Sequence, residues 1–130
     1  MCEEEKMELI ETVLDEYKCP SLNGRYCLKV AVLRLFNMDV PIILNIKEFL
    51  IEVGKCCDAS YDNVERGLRT LADRWFPTLC KFGICDKRPT VSQLLVIVYR
   101  MVKDEEALNN GWYPGYEDEM KFSAIALAFK

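Results

Sequence analysis

Apolar residues recur every three or four positions along most of this 130-residue chain, and this spacing constrains the fold more than any other feature. Between residues 61 and 75, Val64, Leu68, Leu71 and Trp75 fall on one side of a helix, and polar residues fall on the other. Similar spacing predicts helices over residues 5–17, 25–36, 42–57, 61–75 and 89–102. No useful length of sequence alternates apolar and polar residues, so we expect an all-α, compact helical bundle.

The segments between these helices contain residues that begin or end helices. Ser60 is expected to cap the fourth helix, and Thr90, after Pro89, is expected to open the last one. Pro77 is expected to end the fourth helix, because proline lacks the N–H that a helix interior requires. The residues predicted for the buried face of the second helix are Tyr26, Val30 and Leu33, and Leu28, Val32 and Leu35 are further candidates for that face.

The chain has the length of a single domain, 1–130, with three compositional parts. Residues 1–23 form an acidic N-terminal helix, residues 24–103 the core, and residues 104–130 a short acidic, aromatic extension that is either a helix or an edge strand. No apolar stretch approaches the roughly 20 residues of a membrane helix. The acidic N-terminus does not resemble a secretion signal, so we expect a cytoplasmic protein.

The cysteine and histidine content limits the chemistry. Seven cysteines, an odd number in a chain without an export signal, are expected to be reduced thiols. The absence of histidine removes catalytic triads and the usual general base, so we predict no enzyme activity. A zinc site built from Cys56-Cys57 and Cys80-x4-Cys85 is disfavoured, because adjacent helical cysteines point about 100° apart. We therefore predict no metal and no cofactor.

Charge is distributed unevenly along the chain. The net charge of −4 divides into −5 over residues 1–23, +5 over residues 24–103 and −4 over residues 104–130. A global pI near 5 argues against nucleic acid as a partner. The basic centre keeps that partner open, because binding to phosphate depends on the local field.

Two predicted helices are joined by the polar turn 58–60, which is the arrangement of a helix-turn-helix. The second of them, 61–75, would enter the major groove with Arg66 and Arg69 on its outer side. Arginine pairs bidentately with guanine or clamps a phosphate. On the same side Asn63 could bind adenine, and Glu65 could accept a hydrogen bond from cytosine.

Three motifs are similar to motifs of a known family. Gly24-Arg25-Tyr26-Cys27-Leu28 is similar to a Gly-Tyr-x-Tyr-Leu helix opening, and Val64-Glu65-Arg66-Gly67-Leu68-Arg69 to a Val-Glu-Arg-x-x-Arg recognition helix. Arg88-Pro89-Thr90-Val91-Ser92-Gln93 is similar to Lys-Pro-Thr-Asn-Ser-Glu at the start of a last helix. Through these motifs, residues 24–103 resemble the C-terminal DNA-binding effector domain of the master response regulator of bacterial sporulation.

The resemblance implies that Glu65, Arg66 and Arg69 face DNA from a recognition helix, and that Lys55 lies near the DNA backbone. The chain departs from the family where Asn63 replaces a basic residue and where Leu50-Ile51 replaces a tyrosine-proline pair. The family's phosphorylated receiver domain cannot be formed by 23 residues, so phosphorelay control within the chain is not expected.

These observations predict a DNA-binding transcriptional regulator of the sporulation type that binds double-stranded DNA, as a possible homodimer on paired sites. The predicted contacts are Asn63, Glu65, Arg66 and Arg69 with the bases, and Lys55, Lys87 and Arg88 with the backbone. The alternative is a protein-interaction module of the same fold, which binds another regulator or an enzyme. The acidic N-terminal helix either packs on the basic centre, imitates the charge of DNA, or serves only to bury its apolar residues.

Overall fold

A computed structural model describes residues 2–109, and in this part of the chain all regular secondary structure is α-helical. The helices are α1 (Glu3–Glu16), α2 (Asn23–Asn37), α3 (Ile46–Cys57), α4 (Tyr61–Lys81) and α5 (Val91–Asn109). The central helix is α2, which packs against the other four. The predicted all-α bundle is therefore confirmed. The remainder of the predicted C-terminal extension, residues 110–130, lies outside the described residues.

The apolar face predicted for α4 forms the centre of the core. Val64, Leu68, Leu71 and Trp75 are completely buried, and they belong to one apolar core to which all five helices contribute. Ser60 caps α4 as expected, because its hydroxyl accepts a hydrogen bond from the N–H of Asn63. The helix is thus held along its length by burial and at its start by a cap.

The apolar stripe of α1 also belongs to the core, where Ile10, Val13 and Leu14 are buried. Just after α1, the carbonyl of Tyr17 accepts a hydrogen bond from Trp75 Nε1 at 2.9 Å. This bond satisfies the indole N–H, which is costly to bury without a partner. It also ties the end of α1 directly to α4.

The start of α2 crosses α4 at very close range, where Gly24 faces Gly67. A Cβ atom on Gly24 would lie only 2.2 Å from the carbonyl oxygen of Gly67. No other residue fits there without moving one helix away from the other. The glycine pair therefore sets how closely α2 and α4 approach.

The prediction that Pro77 ends the fourth helix is wrong, because α4 continues through it to Lys81. Pro77 lies on the exposed side of the helix, between the completely buried side chains of Trp75 and Leu79. Burial of these two residues outweighs the ~3 kcal/mol that an internal proline costs. The chain turns only at Gly83, which has a positive φ of 73°.

The predicted start of the third helix and the predicted buried face of α2 also need correction. The third helix begins at Ile46 rather than at residue 42, because the side chain of Asn45 accepts a hydrogen bond from the N–H of Glu48 and caps it. On α2, Val30 and Leu33 are buried as predicted, but Tyr26 is 53% exposed. Tyr26 departs from the prediction because the buried side of α2 centres on Leu28, Val32 and Leu35.

The last helix begins at Val91 rather than at residue 89, and it runs beyond residue 102. Thr90 opens it with a reciprocal cap, because its hydroxyl accepts from the N–H of Gln93 and its own N–H donates to the Gln93 side chain. Residues 104–109, assigned to the extension from their acidity, continue the helix to Asn109. An ion pair between Lys103 and Glu106, at 2.9 Å, supports this final part.

Candidate nucleic-acid interface

The connection between α3 and α4 is the predicted three-residue turn, Asp58-Ala59-Ser60. Asp58 adopts a left-handed conformation with φ 55°, and the Gly54 carbonyl accepts the N–H of Ala59 at 2.9 Å. Gly54 has to be small, because a Cβ there would meet the Ala59 carbonyl oxygen at 2.4 Å. The turn is short and tightly built. The interpretation of α3, the turn and α4 as a helix-turn-helix stays a prediction.

The polar face predicted for α4 is confirmed as the outer face. Asn63, Arg66 and Arg69 are exposed, whereas the Glu65 side chain is 22% exposed and lies at the edge of this face. Asp62 and Asp73 are exposed as well, so the face carries both signs of charge.

One edge of this face borders α2, and we call it the Arg66 flank. Here Asn63, Arg66 and Thr70 of α4 line a groove together with Asn23 and Gly24 at the start of α2. The groove is shallow because the Gly24–Gly67 contact brings the two backbones together at its base. In the part of the chain that the structure describes, Arg66 forms no ion pair.

The opposite edge borders α5, and we call it the Arg69 flank. Arg69 forms an ion pair with Glu65, one helical turn earlier. Asp73 forms an ion pair with Arg88 at 2.8 Å, which brings the predicted backbone contact Arg88 to α4. On this flank, both arginines are neutralised by carboxylates of α4 itself.

The two remaining predicted residues lie apart from these flanks. Lys55, on α3 near the turn, pairs with Glu52 at 3.0 Å. Lys87 is exposed in the loop before α5 and forms no ion pair within residues 2–109. Neither residue lines the groove beside Arg66 or the surface around Arg69 and Arg88.

Arg74 was not among the predicted contacts, although it is exposed on α4 and has no ion pair with any described residue. It follows Arg66 and Thr70 at intervals of four residues, which places the three in one row along the helix. The spacing was visible in the sequence. Arg74 extends the positive charge of the Arg66 flank toward the middle of α4.

Two cations of the basic centre form ion pairs with carboxylates of the acidic first helix. Glu11 of α1 contacts Arg25 at 2.5 Å and Lys29 at 2.7 Å, and Asp15 adds a second contact to Arg25 at 2.7 Å. The hydrogen bond from Lys29, with further help from Arg25 and against the effect of burial, lowers the pKa of Glu11. Thus α1 both packs on the basic centre and buries its apolar residues.

Burial lowers the reactivity of three of the seven cysteines. All seven are free thiols, and burial raises the pKa of Cys19 and of Cys57 to about 12 and that of Cys85 to about 11. These thiols are protonated at neutral pH and are poor nucleophiles. Within residues 2–109, no group of three or more side chains is placed to hold a metal ion.

No helix in the described part of the chain is long and apolar enough to cross a membrane. The sequence matches no family model, and comparisons with curated proteins and with solved structures give no significant match.

Proposed function

We propose that this protein binds double-stranded DNA and that α4 is its recognition helix. The observation that carries the proposal is Arg66, which is exposed on the outer face of α4 in the first half of the helix and free of any ion pair with described residues. Arginine in this state is ready to pair with the N7 and O6 of guanine or with a phosphate. Asn63, one turn earlier, is exposed and suited to adenine.

The start of α2 supports a phosphate contact beside Arg66. No side chain caps this helix, so its first N–H groups are left without intrahelical partners. Asn23 and Gly24, which carry these groups, line the same groove as Arg66. A helix N-terminus attracts anions, and here it would act together with the guanidinium group.

Glu65 and Arg69 have a smaller part in this proposal than the sequence suggested. Their ion pair has to open before Arg69 can contact a base or a phosphate, and Glu65 is mostly covered. Lys55 and Arg88 are paired in the same way with Glu52 and Asp73. We assign these residues to secondary backbone contacts, made after their pairs rearrange.

The biological role proposed with this activity is transcriptional regulation in the cytoplasm. It rests on the resemblance of residues 24–103 to the sporulation effector domain, and it includes binding as a dimer to paired sites. A two-fold dimer would present two copies of α4 to adjacent half-sites about one helical turn of DNA apart.

The test is a fluorescence-anisotropy titration of the protein with a duplex that carries the sporulation regulator's box and with a random duplex. We expect tighter binding to the box, and affinity that falls steeply between about 50 and about 150 mM salt. Arg66→Ala should weaken binding to the box by about 1–3 kcal/mol.

Arg100→Ala is the matched control, because Arg100 is also exposed and free of ion pairs with described residues but lies on α5. It should leave the affinity within about twofold of the wild type, since one distant charge adds little at physiological salt. Absence of binding even at low salt, or equal losses in the two variants, would reject α4 as a recognition helix.

The alternative function is a protein-interaction module, and one observation favours it. Three of the five predicted cationic contacts, Lys55, Arg69 and Arg88, are already paired with carboxylates. A surface neutralised in this way suits a protein partner better than a phosphate backbone. Binding to a protein through apolar contacts would respond weakly to salt, which separates the two functions.

A further inference from the structure

An apolar surface lies on the linker between α2 and α3, and it has no part in the proposed DNA contact. In the run Val40-Pro41-Ile42-Ile43-Leu44, the exposed fractions of Val40, Ile42 and Leu44 are 63%, 55% and 94%. The two residues between them are half-buried. Soluble proteins rarely expose several large aliphatic side chains together unless another molecule covers them.

This linker borders a groove on α5. Ile42, Ile43 and Leu44 line one part of the groove with Ile46 and Val96. The groove continues along α5, where further lining comes from Pro41, Leu35, Tyr99, Arg100 and Lys103. We call this whole surface the linker groove, and none of its lining residues belongs to α4.

The charges on the linker groove have a single sign. Among the residues that the structure describes, Arg100 and Lys103 line it and no carboxylate does. Lys103 is held in place by Glu106 at 2.9 Å and by the ring of Phe36, whose centroid lies 4.9 Å from its Nζ atom. Arg100 is exposed and forms no ion pair with any described residue. An apolar floor with cations at one end fits a segment that combines apolar side chains with carboxylates.

We propose that the linker groove binds an acidic, amphipathic segment of another protein. Such a segment would lay apolar side chains along Ile42, Leu44 and Val96 and place a carboxylate against Arg100. A second copy of this chain is a poorer occupant, because a two-fold contact through the same groove would bring no carboxylate to Arg100 and Lys103, since none of the described residues that line the groove is acidic. The exposed acids of α1 do not fit either, because its apolar residues are buried.

The test is a titration of the full chain with two labelled synthetic peptides of about 15 residues, both with a stripe of leucine and phenylalanine at helical spacing. One peptide carries glutamate on its polar face, and the other carries lysine at the same positions. We expect the glutamate peptide to bind at least about tenfold more tightly, because the lysine peptide places like charges together. Equal affinity, or no binding of either peptide, would overturn the proposal.

Two variants locate the binding. Leu44→Ser should weaken binding of the glutamate peptide about tenfold, because it removes the most exposed apolar contact. Arg100→Ala should reduce the preference for glutamate over lysine. Ile51→Ser is the control, because Ile51 is an exposed aliphatic residue on α3 outside the linker groove. Affinity unchanged in Leu44→Ser, or lost equally in the control, would place the peptide elsewhere.

Two alternative occupants of the linker groove would give distinct results, and either result would overturn the proposal. Dimerisation in light scattering that Leu44→Ser abolishes would assign the groove to a second copy. Peptide binding that appears only when Glu117, Asp118 and Glu119 are changed to their amides would assign it to the chain's own C-terminal stretch. DNA binding is measured on Leu44→Ser in parallel, and it should be unchanged, so that this inference and the proposed function fail independently.

Discussion

The two flanks of α4 carry arginines of the same type, one turn apart on one helix, yet in different electrostatic states. Arg66 borders the uncapped start of α2 and forms no ion pair with described residues. Arg69 borders α5 and pairs with Glu65. Exposure alone does not distinguish them, since both are exposed. Each arginine has a carboxylate four residues earlier, Asp62 for Arg66 and Glu65 for Arg69, but only Glu65 forms the ion pair, and this leaves Arg66 free for a phosphate or a base.

The structural base of the Arg66 flank gives the prediction with the largest effect. Gly24→Ala places a methyl group against the Gly67 carbonyl. Because the clashing atoms belong to the backbone and not to a flexible side chain, the whole of α2 has to move away from α4. We expect a loss of about 3 kcal/mol in the free energy of unfolding, at the upper end of overpacking effects. Urea unfolding followed by circular dichroism measures it.

The control is Gly83→Ala. Gly83 has a positive φ but open space around it. Gly83→Ala should therefore lower the free energy of unfolding by only about 1 kcal/mol, the cost of placing alanine in this backbone conformation. A cost for Gly24→Ala no larger than that of Gly83→Ala would show that the two helices can separate easily.

The comparison of the flanks is tested directly by removing each arginine in turn. Arg66→Ala should cost about 1–3 kcal/mol of DNA-binding free energy. Arg69→Ala should cost less than about 1 kcal/mol, because the loss is offset by the ion pair that no longer has to open. Anisotropy titrations at one salt concentration measure both. A larger loss for Arg69→Ala would reverse the assignment of the flanks.

A third set of charges, between α1 and α2, is already paired, and its contribution to stability should depend on pH. Glu11→Gln leaves Arg25, whose side chain is only 12% exposed, with weaker partners and should cost about 1 kcal/mol of stability at pH 7. The folded-state pKa of Glu11 lies below its ordinary value of 4.5. Its contribution is therefore present above pH 4.5 and is lost as the pH falls through the lowered pKa.

Urea midpoints of wild type and Glu11→Gln should consequently differ at pH 7 and converge once the pH lies below the lowered folded-state pKa of Glu11, where the carboxyl is protonated in both states. Glu48→Gln is the control, because Glu48 is exposed and forms no ion pair in the described structure. A difference that persists unchanged at low pH would mean that Glu11 stabilises the fold by packing rather than by charge.

The smallest predicted effect comes from freeing Arg69 of its ion pair, so that both arginines are unpaired. Glu65→Gln removes the charge that holds Arg69, and affinity for DNA should rise about two- to threefold, since an exposed i,i+4 pair contributes only a few tenths of a kcal/mol. The salt dependence should become steeper if Arg69 then neutralises a phosphate. Glu48→Gln changes the net charge equally without freeing an arginine, so an equal rise in that variant would contradict the explanation.

Much of the fold was predictable because periodicity and caps are local signals. The buried set Val64, Leu68, Leu71 and Trp75, and the cap at Ser60, follow from spacing and residue type alone. The continuation of α4 through Pro77 was not predictable in this way. It depends on burial of Leu79 against other helices, which outweighs a local preference.

In the candidate site, too, some contacts were predictable from local spacing and others depend on tertiary packing. The pair Glu65–Arg69 could have been anticipated from its i,i+4 spacing, whereas Asp73–Arg88 joins residues that only the packing of α5 brings together. The closeness of Arg66 to the start of α2 was equally hidden. It results from contact between two glycines that are distant in sequence.

The hydrogen bond from Trp75 to the carbonyl of Tyr17 connects positions 58 residues apart. Closing a loop of that length carries an entropic cost that the early contacts of a folding chain have to overcome. Contacts among α2, α3 and α4 close shorter loops, so we expect them to form first. Glu11 of α1 meets Arg25 of α2 across only 14 residues, so α1 should join α2 early as well. The contact of Tyr17 with α4 would then be among the last steps of folding, and substitutions of the Tyr17 side chain, whose ring packs against Phe82 at the end of α4, would chiefly accelerate unfolding rather than slow refolding.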